Sequence, residues 1–132
     1  MPLKITLKPH ERLILGGAVV TNGSSSSSFT IENNVLILRE KDIIREEDAT
    51  SPCKRIYFIV QLMYIDEKNL TRYHKAYWEN VRELTDAVKT MIPYVDQMNE
   101  HIISSEYYKA LKTAKKMIAY EEELIRHATG RS

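Results

Sequence analysis

Leu3-Lys4-Ile5-Thr6-Leu7-Lys8-Pro9-His10-Glu11-Arg12-Leu13-Ile14-Leu15-Gly16-Gly17 is the stretch whose reading decides the fold. Leu3, Ile5 and Leu7 alternate with Lys4, Thr6 and Lys8, the period-two pattern of a strand with one apolar face. Pro9-His10 breaks the run, and residues 12–15 resume as a second strand. Gly16-Gly17 predicts a bend or bulge, with residues 18–21 continuing beyond it. Asn22-Gly23 predicts a turn, because both residues tolerate positive φ. The serine run over residues 24–28 reads as a solvated hairpin tip, and a phosphorylated or RNA-contacting loop is the alternative. Residues 29–31 form a returning strand, Glu32-Asn33-Asn34 a second turn, and residues 35–39 a further strand. The expectation is an antiparallel meander of about four strands whose free edges need cover.

Helical patterns follow. Residues 41–51 read as a charged connector. Thr50-Ser51-Pro52 predicts a helix start, the hydroxyl capping free N–H groups and proline taking the first turn. The segment carrying Ile56, Phe58, Ile59, Val60, Leu62, Met63 and Ile65 is apolar nearly all round, which predicts a central buried helix ended by residues 66–69. Leu70, Tyr73, Tyr77, Val81, Leu84, Val88 and Met91 recur at three and four, predicting one helix over residues 70–92. Pro93 interrupts it, and Val95, Met98 and Ile102 mark a short amphipathic piece. Ser104-Ser105-Glu106 reads as a cap for a final helix carrying Tyr108, Leu111, Lys115, Ile118 and Ile125. The expected fold class is α+β: a small antiparallel N-terminal sheet, then about four helices. Residues 1–50 form a β-rich subdomain and residues 51–132 a helical one, expected to share one core.

The bulk numbers narrow the function classes. The chain has 132 residues and a formal net charge of +1, so no global basic field announces nucleic acid. Any RNA contact must come from a local patch. A single cysteine, Cys53, rules out an internal disulfide and suits a reducing compartment, and it reads as a small buried hydrophobe. No apolar run approaches the ~20 residues of a membrane helix, so a cytoplasmic location without membrane association is expected.

No catalytic or metal constellation is evident. The four histidines, His10, His74, His101 and His127, are spread over different elements without a second ligand at helical spacing. Glu121-Glu122-Glu123 reads as a solvated helix face rather than an acid/base pair. Gly16-Gly17 lacks the further residues of a phosphate loop. Neither a cofactor nor a metal is implied, and an enzyme is not expected.

Cations are more suggestive. Lys8, Arg12, Arg39 and Lys41 lie on or beside the strands, and Lys54 and Arg55 sit where positive charge opposes a helix dipole. The acidic neighbours Glu46, Glu47 and Asp48 explain the latter pair most simply, with an RNA phosphate as the alternative. Lys109, Lys112 and Lys116 share a helix face that reads as solvated. Tyr73, Tyr77 and Trp78 read as core or a helix seam, though such a stripe can stack bases or anchor a partner.

Taken in order, several segments resemble the FlbT family of flagellar regulators. They are Leu7-Lys8-Pro9-His10-Glu11-Arg12, Gly17-Ala18-Val19-Val20-Thr21-Asn22-Gly23, Arg39-Glu40-Lys41-Asp42-Ile43, residues 46–52, residues 55–63 and Tyr107-Tyr108-Lys109-Ala110-Leu111-Lys112. His10 stands where the family is expected to have glycine, and the serine run replaces a more charged turn. The resemblance implies a post-transcriptional regulator that associates with the 5′ untranslated region of flagellin mRNA and promotes its degradation. In some members the effect on flagellin is positive. A weaker likeness links residues 5–16 and 38–43 to the carbon storage regulators of the CsrA type, in which the first and last strands contact RNA. It implies Lys8 and Arg39 as matching basic positions, while Leu7 stands where a basic residue is expected.

The expected RNA-binding residues are therefore Lys8, Arg12, Arg39, Lys41, Lys54 and Arg55. The implied partner is the flagellin mRNA leader. The alternative is a protein-interaction module, or chaperone-like factor, that binds flagellin or a FlaF-type co-regulator and affects mRNA indirectly. A homo-oligomer is left open.

Overall fold

The computed structural model describes residues 2–130. The chain divides into two compact units, Met1–Ile43 and Ile44–Ser132. The class is α+β, as the hydrophobic periods imply.

The first unit contains five short strands: β1 (Leu3–Leu7), β2 (Arg12–Leu15), β3 (Ala18–Thr21), β4 (Ser27–Ile31) and β5 (Ile37–Arg39). They do not form one meander. β1 pairs antiparallel with β4, with Leu3 opposite Ile31 and Leu7 opposite Ser27. A second sheet has the order β3-β2-β5. Ile5, Leu7 and Leu13 are fully buried, and Leu15, Phe29, Ile31 and Ile37 pack against them. The alternation read from Ile5 and Leu7 thus faces the core, while Leu3, at the strand start, stays exposed.

Three turns explain this pairing. Gly16-Gly17 closes a two-residue hairpin between β2 and β3 rather than bending a continuous strand. Gly16 takes φ +63 and donates its N–H to the Leu36 carbonyl at 2.7 Å. Pro9-His10 occupies the centre of a β-turn closed by Glu11 N–H to the Lys8 carbonyl at 3.1 Å. His10 there has φ +62, at the third position of a proline turn that usually holds glycine. Asn22-Gly23 turns by a side chain, since neither residue takes positive φ. Asn22 Nδ2 reaches the carbonyls of Leu7, Lys8 and Ser25 at 3.2, 2.8 and 3.0 Å. Its Oδ1 accepts from Gly23 N and Ser27 Oγ, both at 2.9 Å. The serine run is not only a loop tip: Ser27 and Ser28 belong to β4, opposite Leu7 and Thr6.

The second unit is helical: α1 (Pro52–Ile65), α2 (Leu70–Ala87), α3 (Ile92–Ile103) and α4 (Tyr107–Ala128). α1 packs against both α2 and α4, and α3 packs against α4. The start of α1 is as expected, with Ser51 Oγ accepting from Lys54 N at 3.2 Å and proline in the first turn. Cys53, Ile56, Val60 and Met63 are wholly buried, as are Ala110, Ala114 and Met117 on α4. Buried Gln61 is satisfied by two 2.9 Å bonds to the Ile44 backbone.

Two boundaries differ from expectation. The helix begun at Leu70 ends at Ala87, not at residue 92. In a continued helix the Pro93 ring would meet the carbonyl of Lys89, and the chain instead becomes extended at Val88 before α3 begins. Ser104-Ser105-Glu106 does not cap α4 through a side chain. Ser105, at φ +57, closes α3 instead, and Glu106 N–H returns to the His101 carbonyl at 2.7 Å.

Candidate nucleic-acid interface

The six basic residues fall into two groups, one in each unit. In the first unit, Lys8, Pro9, His10, Glu11, Glu40 and Lys41 line a shallow depression of about 360 Å³. The proline turn supplies four of these residues, and the 3-10 turn Glu40–Asp42 after β5 supplies the other two. Both carboxylates are engaged by backbone. Glu11 Oε1 accepts from Lys8 N at 2.8 Å, and Glu40 Oε1 accepts from Arg12 N at 3.2 Å. The side-chain cations of Lys8 and Lys41 have no hydrogen-bond or ion-pair partner among the described residues.

Arg12 and Arg39 do not extend this patch as one strip. Arg39 lies directly opposite Leu13, so alternation sets Arg12 and Arg39 on opposite faces of the β3-β2-β5 sheet. Arg39 Nη2 also donates to the Thr6 carbonyl at 3.3 Å, linking β5 to β1. Its guanidinium has four further N–H donors for other work.

Lys54 and Arg55 belong to the helical unit, and the acid beside them is not the one expected. Arg45 takes Glu47 and Asp48, at 3.4 and 2.9 Å, and these partners raise its pKa, the Asp48 hydrogen bond most. The carboxylate at the start of α1 comes from α4. Glu121 is buried, its Oε1 accepts from Ser51 Oγ, and its Oε2 accepts from Cys53 N at 3.1 Å. A carboxylate at a helix N-terminus satisfies free N–H groups and complements the dipole. Glu121 is therefore a tertiary cap and not part of a solvated run, whereas Glu122 and Glu123 are exposed. Burial, with Glu121 alongside, pushes the Cys53 thiol well above its usual range, which suits an inert thiol.

The aromatic stripe on α2 splits. Tyr77 is fully buried and donates to Asn99 Oδ1 at 2.6 Å, joining α2 to α3. Tyr73 donates to Asp66 Oδ2, while Trp78 is exposed. The α4 lysines lie at the surface, with Lys109 paired to Glu106 at 2.7 Å and Lys112 5.1 Å from the Tyr108 ring centre. The helical unit also carries an apolar groove of about 540 Å³, lined among others by Pro52, Leu84, Val88, Met91, Leu124 and Ile125. Arg55 lines it too, so this residue borders an apolar surface as well as solvent. Spacing along the chain did not reveal that groove, because its walls come from separate helices.

Among the described residues, no cluster of three or more His, Cys, Asp or Glu side chains could hold a metal ion. No described helix is long and apolar enough to cross a membrane.

Comparison with known proteins agrees with the resemblance. The family model described as flagellar protein FlbT matches residues 3–125. A protein of Bradyrhizobium diazoefficiens named probable flagellum biosynthesis repressor protein FlbT 1 is 45% identical over 125 residues, covering 94% of this chain and 85% of that one. A Caulobacter sp. (strain K31) protein named probable flagellum biosynthesis repressor protein FlbT is 38% identical, covering 98% and 100%. The flagellum biosynthesis repressor protein FlbT of Caulobacter vibrioides (strain ATCC 19089 / CIP 103742 / CB 15) is 37% identical, covering 98% and 93%. No solved structure matches the chain. With its family model spanning nearly the whole sequence, the chain belongs to the FlbT family.

Proposed function

We propose that this protein regulates flagellum biosynthesis after transcription, by associating with the 5′ untranslated region of flagellin mRNA and promoting its degradation. The names of its relatives support the flagellar regulatory role. The observation that carries the RNA contact is the depression where Lys8 and Lys41 stand unpaired while Glu11 and Glu40 are occupied by backbone amides. Ammonium groups without an ion-pair partner, beside carboxylates whose Oε1 atoms are turned to backbone amides, are suited to phosphodiester oxygens. Arg12 and Arg39 serve phosphates on either side of the sheet, and Lys54 and Arg55 add cations from the helical unit. No step of bond cleavage is assigned to the protein, whose relatives are named for regulation. The work takes place in the cytoplasm, where the message is translated.

Gel-shift titration tests this reading with purified protein, a flagellin leader RNA and a scrambled RNA of equal length. Preferential retardation of the leader is expected, together with a longer leader half-life in cells lacking the protein. Equal, weak retardation of both RNAs would overturn it.

A second reading is favoured by the groove of the helical unit. A flagellin helix, or a FlaF-type co-regulator, would dock along Leu84, Met91 and Ile125 by helix-in-groove packing. Capture of RNA-free flagellin by the wild type, lost in Ile125→Asp at an exposed position of the groove, would favour this route over direct RNA contact.

A further inference from the structure

His10 is a costly residue for its place. Its backbone is held at φ +62 by the proline turn, and its N–H donates to the Gly23 carbonyl at 2.9 Å. Glycine adopts such angles freely, whereas a side chain with a Cβ is strained there. Histidine enters this region more readily than most side chains, yet less freely than glycine, and that difference motivates a search for what the side chain does. The imidazole makes no hydrogen bond, ion pair or ring contact among the described residues, so it does not hold the turn. It does line the same depression as Lys8 and Lys41. At about 360 Å³ the depression lies at the small end of ligand pockets, which run to ~1,000 Å³. It suits one splayed-out nucleotide rather than a duplex.

We propose that His10, Lys8 and Lys41 form a single-nucleotide subsite for unpaired RNA. The two ammonium groups hold the flanking phosphate, and the imidazole stacks on the exposed base. Unpaired RNA bases are commonly received on aromatic faces, histidine included. Stacking is tolerant of base identity, so the subsite favours single-stranded RNA over paired RNA more than one base over another. This inference rests on the RNA-binding reading above and adds the base contact to it.

The test is His10→Gly in the full chain, because the two roles of the residue then move in opposite directions. Thermal unfolding is expected at or above the wild-type midpoint, since glycine relieves the backbone. Fluorescence anisotropy with a single-stranded flagellin leader fragment is expected to show about a tenfold loss of affinity. His10→Asn, which tolerates the same angles without an aromatic face, should lose affinity similarly. Inorganic polyphosphate, which has no bases, should bind wild type and His10→Gly equally. Unchanged leader affinity in both variants, a lowered unfolding midpoint for His10→Gly, or an equal loss toward polyphosphate would each overturn the stacking role. Failure of the wild type to bind the leader at all would remove the underlying RNA reading instead.

Discussion

Replacing Glu121 by alanine should destabilise the helical unit by about 3 kcal/mol. The carboxylate accepts from Ser51 Oγ and Cys53 N, and Ser51 in turn accepts from Lys54 N. One acid on α4 therefore satisfies the first turn of α1, directly and through the serine. Hydrogen bonds to a charged acceptor are worth ~1.5–3 kcal/mol each, and leaving the buried Cys53 N–H unpaired costs ~1–3 kcal/mol. These contributions overlap, so about 3 kcal/mol is expected rather than their full sum. For a unit of this size the midpoint should fall by roughly 12–24 °C. Circular dichroism at 222 nm during heating, and urea titration, give the two measurements. Glu121→Gln keeps one acceptor and the side-chain volume and should lose about 1–2 kcal/mol. Ser51→Ala combined with Glu121→Ala should cost clearly less than the two single losses added, because both act on the same helix end. A loss below about 0.5 kcal/mol for Glu121→Ala, the range of an ordinary surface change, would refute the capping role.

Other perturbations have equally definite outcomes. Ser105→Gly should raise stability by about 1 kcal/mol in urea unfolding, because Ser105 closes α3 at φ +57; a loss would show that its side chain matters more than its backbone. Tyr77→Phe removes the 2.6 Å bond to Asn99 and should cost about 1–2 kcal/mol, and a neutral result would mean that water replaces the hydroxyl. Asp66 is held below the usual carboxylate range, first by the Tyr73 hydroxyl and then by Asn69. A depressed folded pKa stabilises above the unfolded value and is lost as pH falls through the folded one. The stability gap between wild type and Asp66→Asn should therefore be full near neutrality and close on acidification below pH ~4; a gap independent of pH would contradict this.

Local patterns carried much of this fold, and non-local geometry the rest. Ile5 and Leu7 declare a strand by alternation, and Ser51-Pro52 declares the start of α1, because both signals lie within a few residues. The pairing of β1 with β4 is not readable from local pattern, since it depends on a partner twenty or more residues away and on the Asn22 side chain between them. Glu121 hides its role for the same reason: its neighbours Glu122 and Glu123 are solvated, and its helix-capping role exists only once α4 meets α1. Among the cations, chain order placed Lys8 and Lys41 near strands but could not bring them to one depression. Register, visible only after folding, separates Arg12 from Arg39. His10 stands where the family resemblance implies glycine, and the positive φ supplies the physical reason glycine would be favoured there.

The salt dependence of leader binding tests the RNA contact most directly. Anisotropy titrations across a range of potassium chloride should give a linear fall of log affinity with log salt for the wild type. Lys8→Ala with Lys41→Ala should weaken binding and reduce the steepness by roughly 1.4, about 0.7 for each lost contact to single-stranded RNA. A double variant with wild-type affinity and wild-type slope would contradict the assignment of the depression as the RNA-binding surface.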